Sequence, residues 1–178
     1  MLRSILLSAV LALAAGLQRT QPRMSLAVGS SFPSGALSKI GVKGKPAVLY
    51  FYGADESPSC TKQAEGFSAD AGAFAGVQVV GIRSDAGVKD GFAEKYAQRF
   101  YVDRDDEIRD EIGIAKDFFG FLGGRETYVL DKDGTVCMVF NGQLNPEKHV
   151  EAAKAAVADL PTGGGGGGFD FASLLPKF

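Results

Sequence analysis

Cys60 is the residue of this chain best placed to act as a nucleophile, and Ser57 precedes it by three positions. An apolar run typical of a buried strand ends at Tyr52, and a helical pattern begins at Cys60. A sulfur at a helix start faces unpaired backbone N–H groups and the positive end of the helix dipole, which favour the reactive thiolate. The Ser57 hydroxyl can accept and donate hydrogen bonds beside it. The alternative is a structural cysteine behind an ordinary N-terminal cap.

Cys137 is the only other cysteine and His149 the only histidine. Two cysteines are too few for a disulfide scaffold, and no Cys-x-x-Cys or Cys/His cluster exists for dithiol exchange or zinc binding. The sequence therefore predicts no metal site and no cofactor. Hydropathy alternates little around Cys137, so we expect it buried in a strand with a packing role. We expect His149 at the surface or as a helix cap.

The elements around these residues alternate between strand and helix before a hairpin and a final helix. This order predicts an α/β fold with a central mixed sheet and helices on both faces, compatible with a thioredoxin-like fold. Residues 25–44 lack periodicity and predict a loop with at most one short strand. The predicted strands are 47–52, 77–82, 101–102, 127–130 and 135–140, and the predicted helices are 60–74, 88–100, 105–112 and 146–160.

Residues 1–24 differ in composition from the rest of the chain. They contain three arginines and no acid, and the first acidic residue is Asp55. An apolar run over residues 4–16 is too short to span a membrane, and a polar, arginine-containing segment follows it. A segment that resembles a signal peptide, followed by one that resembles a transit peptide, is typical of the bipartite presequences of secondary plastids. We therefore predict a plastid protein. Simple secretion is the alternative, and stable membrane insertion is not expected.

We expect one folded domain over residues 25–160, followed by a tail over residues 161–178. The tail contains six consecutive glycines, Gly163 to Gly168, a composition typical of flexible linkers. The whole chain has 19 basic and 21 acidic side chains. Because this balance gives no basic excess, it argues against nucleic acid as a partner.

Four segments together resemble the bacterioferritin comigratory protein/peroxiredoxin Q subfamily of the peroxiredoxins. The first is KPAVLYFYGADESPSCTKQAEGF, which contains Cys60, and the others are GIRSD, DFFGFLGGRETYVLDKDGTV and NPEKHV. They lie within residues 45–158, most of the predicted domain. The resemblance implies a thioredoxin-like fold of the peroxiredoxin type and a thiol peroxidase activity.

The resemblance also implies a role for three residues. Cys60 matches the cysteine that attacks peroxide, Ser57 the hydroxyl residue of the family motif, and Arg125 an arginine supplied by a distant strand. These three residues would bind the peroxide and form a sulfenic acid on Cys60. Taken without the resemblance, Arg125 is more commonly a surface ion pair.

Two positions depart from the family pattern. Gly53 stands where the motif has proline, which relaxes the loop and predicts a less protected, slower site. Glu65 stands where many members have a resolving cysteine, so Cys137 is the only internal candidate for that role. Because we expect Cys137 to serve packing, we predict one-cysteine behaviour, with the sulfenate reduced by an external thiol such as glutathione, glutaredoxin or thioredoxin.

The resulting prediction is an antioxidant enzyme that reduces hydrogen peroxide or alkyl hydroperoxides and acts as a monomer or weak dimer. The alternative is a redox-regulatory protein that senses peroxide through Cys60 and passes the oxidation to a partner. Turnover with a general thiol distinguishes the two. A third class, a thioredoxin-like oxidoreductase or chaperone, is disfavoured by the lack of Cys-x-x-Cys.

Overall fold

The computed structural model describes residues 25–42, 44–116 and 123–160. The predicted presequence and the glycine-rich tail lie outside the described residues. The described part of the chain contains five strands and four α-helices. The strands are β1 Ala47–Tyr52, β2 Gln78–Ser84, β3 Arg99–Asp103, β4 Glu126–Leu130 and β5 Val136–Asn141, and the helices are α1 Ser34–Ile40, α2 Pro58–Ala69, α3 Glu107–Ile112 and α4 Pro146–Ala158.

The five strands form one mixed sheet in the order β3-β2-β1-β4-β5. Strands β1, β2 and β3 are parallel, while β4 runs antiparallel to β1 and β5 antiparallel to β4. All six residues of the central strand β1 are buried, which explains its continuous apolar sequence. The predicted sheet of parallel strands completed by an antiparallel hairpin is confirmed.

Successive residues of β1 pack into two separate cores. Tyr50 and its neighbours on one face contact the cluster that includes α2 and α4, and its ring stacks on Phe67 with centroids 4.5 Å apart. Leu49 and Phe51 on the other face belong to the cluster formed with α1 and α3. Helices therefore cover both faces of the sheet, as predicted for the α/β fold.

The predicted helix over residues 88–100 is wrong. This connection contains the short 3-10 helix Ala93–Lys95 and then β3. Gly91 adopts a left-handed φ of 75°, which an α-helix does not allow. Phe92, Tyr96 and Phe100 nevertheless pack together inward, with ring centroids 5.1 to 6.1 Å apart. Their four-residue spacing imitates a helical stripe, which explains the error.

The N-terminal loop predicted over residues 25–44 is also wrong in part, because α1 lies within it. Ala36 and Ile40 are buried on one side of this helix, and Gly41, with a φ of 76°, ends it. Helix α3 carries a buried arginine. Arg109 pairs with Asp103 and donates to the carbonyl oxygens at the ends of β1 and β2.

Within the residues that the structure describes, no helix is long and apolar enough to cross a membrane.

Candidate active site

Cys60 lies in the first turn of α2, as predicted. Ser57 is the N-cap, Pro58 the first residue and Cys60 the third, and the sulfur-bearing residue is only 3% exposed. Proline suits the first helical position because its fixed φ matches the helix and it has no N–H to leave unpaired. The Ser57 side chain makes no capping hydrogen bond. Its hydroxyl is therefore available for something other than holding the helix start.

Arg125 reaches Cys60 from the residue just before β4. Its Nη2 atom donates to the Cys60 sulfur at 3.3 Å and to the Ser59 hydroxyl at 2.8 Å. Its Nη1 atom donates to the Gln63 side-chain oxygen at 2.8 Å and to the Ser59 carbonyl at 3.2 Å. Arg125 is only 2% exposed, so the surface ion pair considered from the sequence is wrong. Arg125 thus places a buried positive charge in direct contact with the sulfur.

An open cavity of 340 Å³ lies in front of the sulfur, at the C-terminal ends of β1 and β2. The structure thus brings the three candidates Ser57, Cys60 and Arg125 to one cavity wall. The small side chains that surround them leave room for a peroxide or a larger hydroperoxide. The lining residues are Gly53, Ala54, Ser57, Ser59, Cys60, Ser84, Ala86, Gly87, Gly123, Arg125 and Gln143.

Asp55 anchors the loop between β1 and α2. Its buried carboxylate accepts hydrogen bonds from the Tyr52 hydroxyl at 2.7 Å and from the Lys89 backbone N–H at 2.8 Å, and it pairs with Arg83. The Asp55 N–H donates to the Gly87 carbonyl at 2.8 Å. These contacts fix the loop that leads to Ser57 and Cys60. Sequence reasoning missed Asp55, although an acid in the short turn that follows a buried strand is a usable signal.

Cys137 and Cys60 lie towards opposite ends of the sheet. Leu130 pairs both with the first residue of β1 and with Val136, so Cys137 is level with the start of β1. Cys60 follows the end of β1, and the five residue steps of that strand span roughly 16 Å. A disulfide needs Cα atoms within about 7 Å.

The expectation that Cys137 lies buried in a strand covered on both faces is wrong, because the residues of β5 after Val136 are half-buried or exposed. Cys137 is half-buried and donates weakly to the Thr135 carbonyl at 3.6 Å. Partial burial raises the pKa of its thiol, so the thiolate is scarce near neutral pH. Cys137 therefore has neither the position nor the ionisation expected of a resolving cysteine.

His149 is fully buried, so its predicted position at the surface or as a cap is wrong. Its Nε2 lies 2.7 Å from the Gly142 carbonyl, which can only accept, so Nε2 carries the proton. Nδ1 then accepts from the Thr127 hydroxyl at 2.9 Å. Burial, with a smaller contribution from the charge of Arg125, lowers the pKa of His149 to about 4. A neutral His149 ties α4 to β4 and to the segment after β5.

Ser59 and Gln63 are the site residues that sequence reasoning missed. Gln63 follows Cys60 by three positions, a spacing that places both on one face of a helix and could have indicated it. Ser59 has no such signal, because only the structure shows that its hydroxyl meets Arg125. No group of three or more His, Cys, Asp and Glu side chains within the described ranges could hold a metal ion.

Comparison with known proteins assigns this arrangement to a family. The model of the AhpC/TSA family matches residues 22–139. The chain belongs to the AhpC/TSA family. Within it, the chain is 50% identical over 121 residues to chloroplastic peroxiredoxin Q of Sedum lineare, a match that covers 65% of this chain and 64% of the relative. The resemblance to peroxiredoxin Q is therefore confirmed, although the chain spans less than two thirds of that relative.

Solved structures share the fold, so the predicted thioredoxin-like fold of the peroxiredoxin type is confirmed. Peroxidoxin BcpB of Mycobacterium tuberculosis superposes with a TM-score of 0.59 and 26% identity, over 78% of this chain and 97% of that protein. The bacterioferritin comigratory protein of Xanthomonas campestris, described for its alkyl peroxide reduction activity, gives a TM-score of 0.55 and 28% identity over 65% and 80% of the two chains.

Proposed function

We propose that this protein is a thiol-dependent peroxidase in which Cys60 attacks the peroxide. The observation that carries the proposal is the 3.3 Å contact between Arg125 Nη2 and the Cys60 sulfur at the wall of an open cavity. A buried cation in contact with a sulfur at a helix start is the kind of environment in which cysteines act as nucleophiles. The relationship to peroxiredoxin Q favours this function over a peroxide sensor with little turnover.

In the proposed reaction, the Cys60 thiolate attacks one oxygen of the peroxide. A sulfur–oxygen bond forms and the oxygen–oxygen bond breaks, so the sulfur is oxidised to a sulfenic acid and the peroxide is reduced. The departing oxygen carries the electron pair and takes up a proton to leave as water or an alcohol. Ser57, the Cys60 N–H and Arg125 are the groups proposed to orient the two oxygens and offset the developing charge.

Reduction of the sulfenic acid is proposed to require an external thiol. The position of Cys137 at the other end of the sheet and its raised pKa support this one-cysteine cycle. A first thiolate would displace water from the sulfenic acid to form a mixed disulfide, and a second thiolate would release Cys60. Glutathione, glutaredoxin and thioredoxin all supply the required chemistry.

The proposed substrates are hydrogen peroxide and organic hydroperoxides. Gly53, Ala54, Ala86 and Gly87 line the cavity with small groups, which supports entry of an alkyl hydroperoxide. The alkyl peroxide reduction described for the Xanthomonas campestris protein is consistent with this proposal. We further propose that the protein acts in a plastid, as the name of the Sedum lineare relative suggests, and as a monomer or weak dimer.

Stopped-flow mixing of the reduced full chain with hydrogen peroxide tests the proposal, with Cys60→Ser and Cys137→Ser in parallel. Fast loss of one thiol in the wild type and in Cys137→Ser, but not in Cys60→Ser, is expected. Sustained turnover of Cys137→Ser with glutathione or a thioredoxin system is expected as well. A wild-type rate no faster than that of free cysteine contradicts the peroxidase, and a single turnover with every thiol tried indicates a sensor.

A further inference from the structure

The four terminal N–H groups of Arg125 are matched by four acceptors within the protein. Nη1 donates to the Ser59 carbonyl and to Gln63, and Nη2 donates to the Ser59 hydroxyl and to the Cys60 sulfur. The fifth N–H, on Nε, is buried. Arg125 therefore lines the cavity with each terminal N–H already hydrogen-bonded, so it acts on a peroxide oxygen through its charge and through the groups that it holds.

The Ser59 hydroxyl is in direct contact with this guanidinium at the cavity wall. It accepts from Arg125 Nη2 at 2.8 Å, which fixes the oxygen and leaves the hydroxyl proton free to donate. Ser59 is half-buried and lines the cavity beside Cys60. A hydroxyl whose oxygen accepts from a cation is polarised, so it becomes a stronger donor through its own proton.

We infer that Ser59 is a further catalytic residue, whose hydroxyl is polarised by Arg125 and donates a hydrogen bond to the peroxide. This inference rests on the proposed peroxidase function. As the Cys60 thiolate forms its bond to one peroxide oxygen and the oxygen–oxygen bond breaks, negative charge develops on the departing oxygen. The Ser59 hydroxyl donates a hydrogen bond to that oxygen, which then takes its proton from water and leaves as water or an alcohol.

Ser57 does not duplicate this role, although both serines line the cavity. Ser57 precedes the first turn of α2 and makes no capping hydrogen bond, so its hydroxyl can rotate to serve as donor or acceptor. The Ser59 oxygen is held by Arg125, so this hydroxyl has a fixed position from which it can donate its proton to the cavity. The two serines thus provide one adaptable and one oriented hydroxyl.

A comparison of two oxidants with different departing groups tests the inference. Hydrogen peroxide releases hydroxide, a strong base that needs a hydrogen-bond donor, whereas peracetic acid releases acetate, a weak base that does not. Second-order rate constants for both oxidants would be measured by stopped flow on the full chain and on Ser59→Ala and Ser59→Thr. Ser38→Ala is the matched control, because the Ser38 hydroxyl donates within α1 far from the cavity.

We expect Ser59→Ala to lower the rate with hydrogen peroxide about tenfold, the effect of one lost hydrogen bond, and to change the rate with peracetic acid less than twofold. Ser59→Thr should restore most of the hydrogen peroxide rate. An equal loss with both oxidants would mean that Ser59 only positions Arg125, and an unchanged or higher rate would mean that it competes with the peroxide. Either result overturns the inference. A wild type as slow as free cysteine instead refutes the peroxidase itself.

Discussion

The Nη2 atom of Arg125 lies 3.3 Å from the Cys60 sulfur, although 65 positions separate the two residues along the chain. The contact arises because β4 runs antiparallel to β1, so the residue before β4 lies near the end of β1 where α2 begins. The site therefore depends on the order of strands in the sheet rather than on a local motif.

Arg125→Lys is expected to lower the second-order rate constant with hydrogen peroxide at least about tenfold. A lysine keeps the charge, but its single ammonium cannot hold Gln63, Ser59 and the sulfur in one plane. Stopped-flow measurement checks this. Arg99→Lys is the matched control, because Arg99 is exposed and donates to the backbone carbonyls of Ile40 and Gly41. Equal rates for the two variants would show that charge alone suffices.

Asp55→Asn is expected to lower the free energy of unfolding by about 3 kcal/mol, because it leaves the buried Arg83 without its counter-charge. Loosening of the loop should also slow the reaction of Cys60 with peroxide. Chemical denaturation measures the first effect and stopped flow the second. Asp133→Asn, in an exposed pair with Lys132, is expected to change the unfolding free energy by less than about 0.5 kcal/mol. Similar losses in both variants would contradict the anchoring role of Asp55.

Gly53→Pro restores the residue that the peroxiredoxin motif has at this position. A Cβ atom at Gly53 would meet no atom within 4 Å, and Gly53 does not adopt a left-handed φ. We expect the variant to gain about 0.4 to 1 kcal/mol of stability through a stiffer unfolded chain. We also expect a faster reaction with peroxide and slower overoxidation, measured by stopped flow and by mass spectrometry of the sulfinic acid. A loss of stability would mean that proline does not fit the loop.

His149 is expected to make stability depend on pH between about 6.5 and 4. The unfolded chain binds a proton at the ordinary histidine pKa of 6.5, whereas the folded protein resists protonation until about pH 4. The free energy of unfolding therefore has its full value, as far as His149 is concerned, above pH 6.5. It falls as the pH drops through this window, by roughly 3 kcal/mol in total.

The measurement is simple because His149 is the only histidine of the chain. The pH titration of its imidazole by NMR should give a midpoint near 4, and His149→Gln should flatten the fall in stability between pH 6.5 and 5, above most carboxylate titrations. A midpoint near 6.5 would show that the ring is accessible in the folded state.

Much of the fold could be predicted because its signals are local. A few neighbouring residues predict each of three features: the apolar run of β1, the turn before β5 and the start of α4 at Pro146. The connection from β2 to β3 could not be predicted. Phe92, Tyr96 and Phe100 have helical spacing, and only contacts with the distant α2 core explain why they point inward without a helix.

The site divides in the same way. Cys60 and Ser57 can be identified from the sequence because a strand ends where a helix begins. The helical spacing of Gln63 from Cys60 could have identified Gln63 as well. The approach of Arg125, the hydroxyl contact of Ser59 and the burial of His149 depend on how β4 and α4 lie against α2. No pattern within a single element contains that information.

The location of Cys137 at the far end of the sheet has a consequence for survival under stress. In the proposed one-cysteine cycle, every oxidised molecule waits for a reductant from outside. During a peroxide pulse that exhausts the local thiols, a second peroxide would convert the waiting sulfenate to sulfinic acid, which is generally irreversible. The protein would then be inactivated in proportion to the shortage of thiols. The fraction still active after the pulse would measure how fast the surrounding thiols reduced the sulfenate.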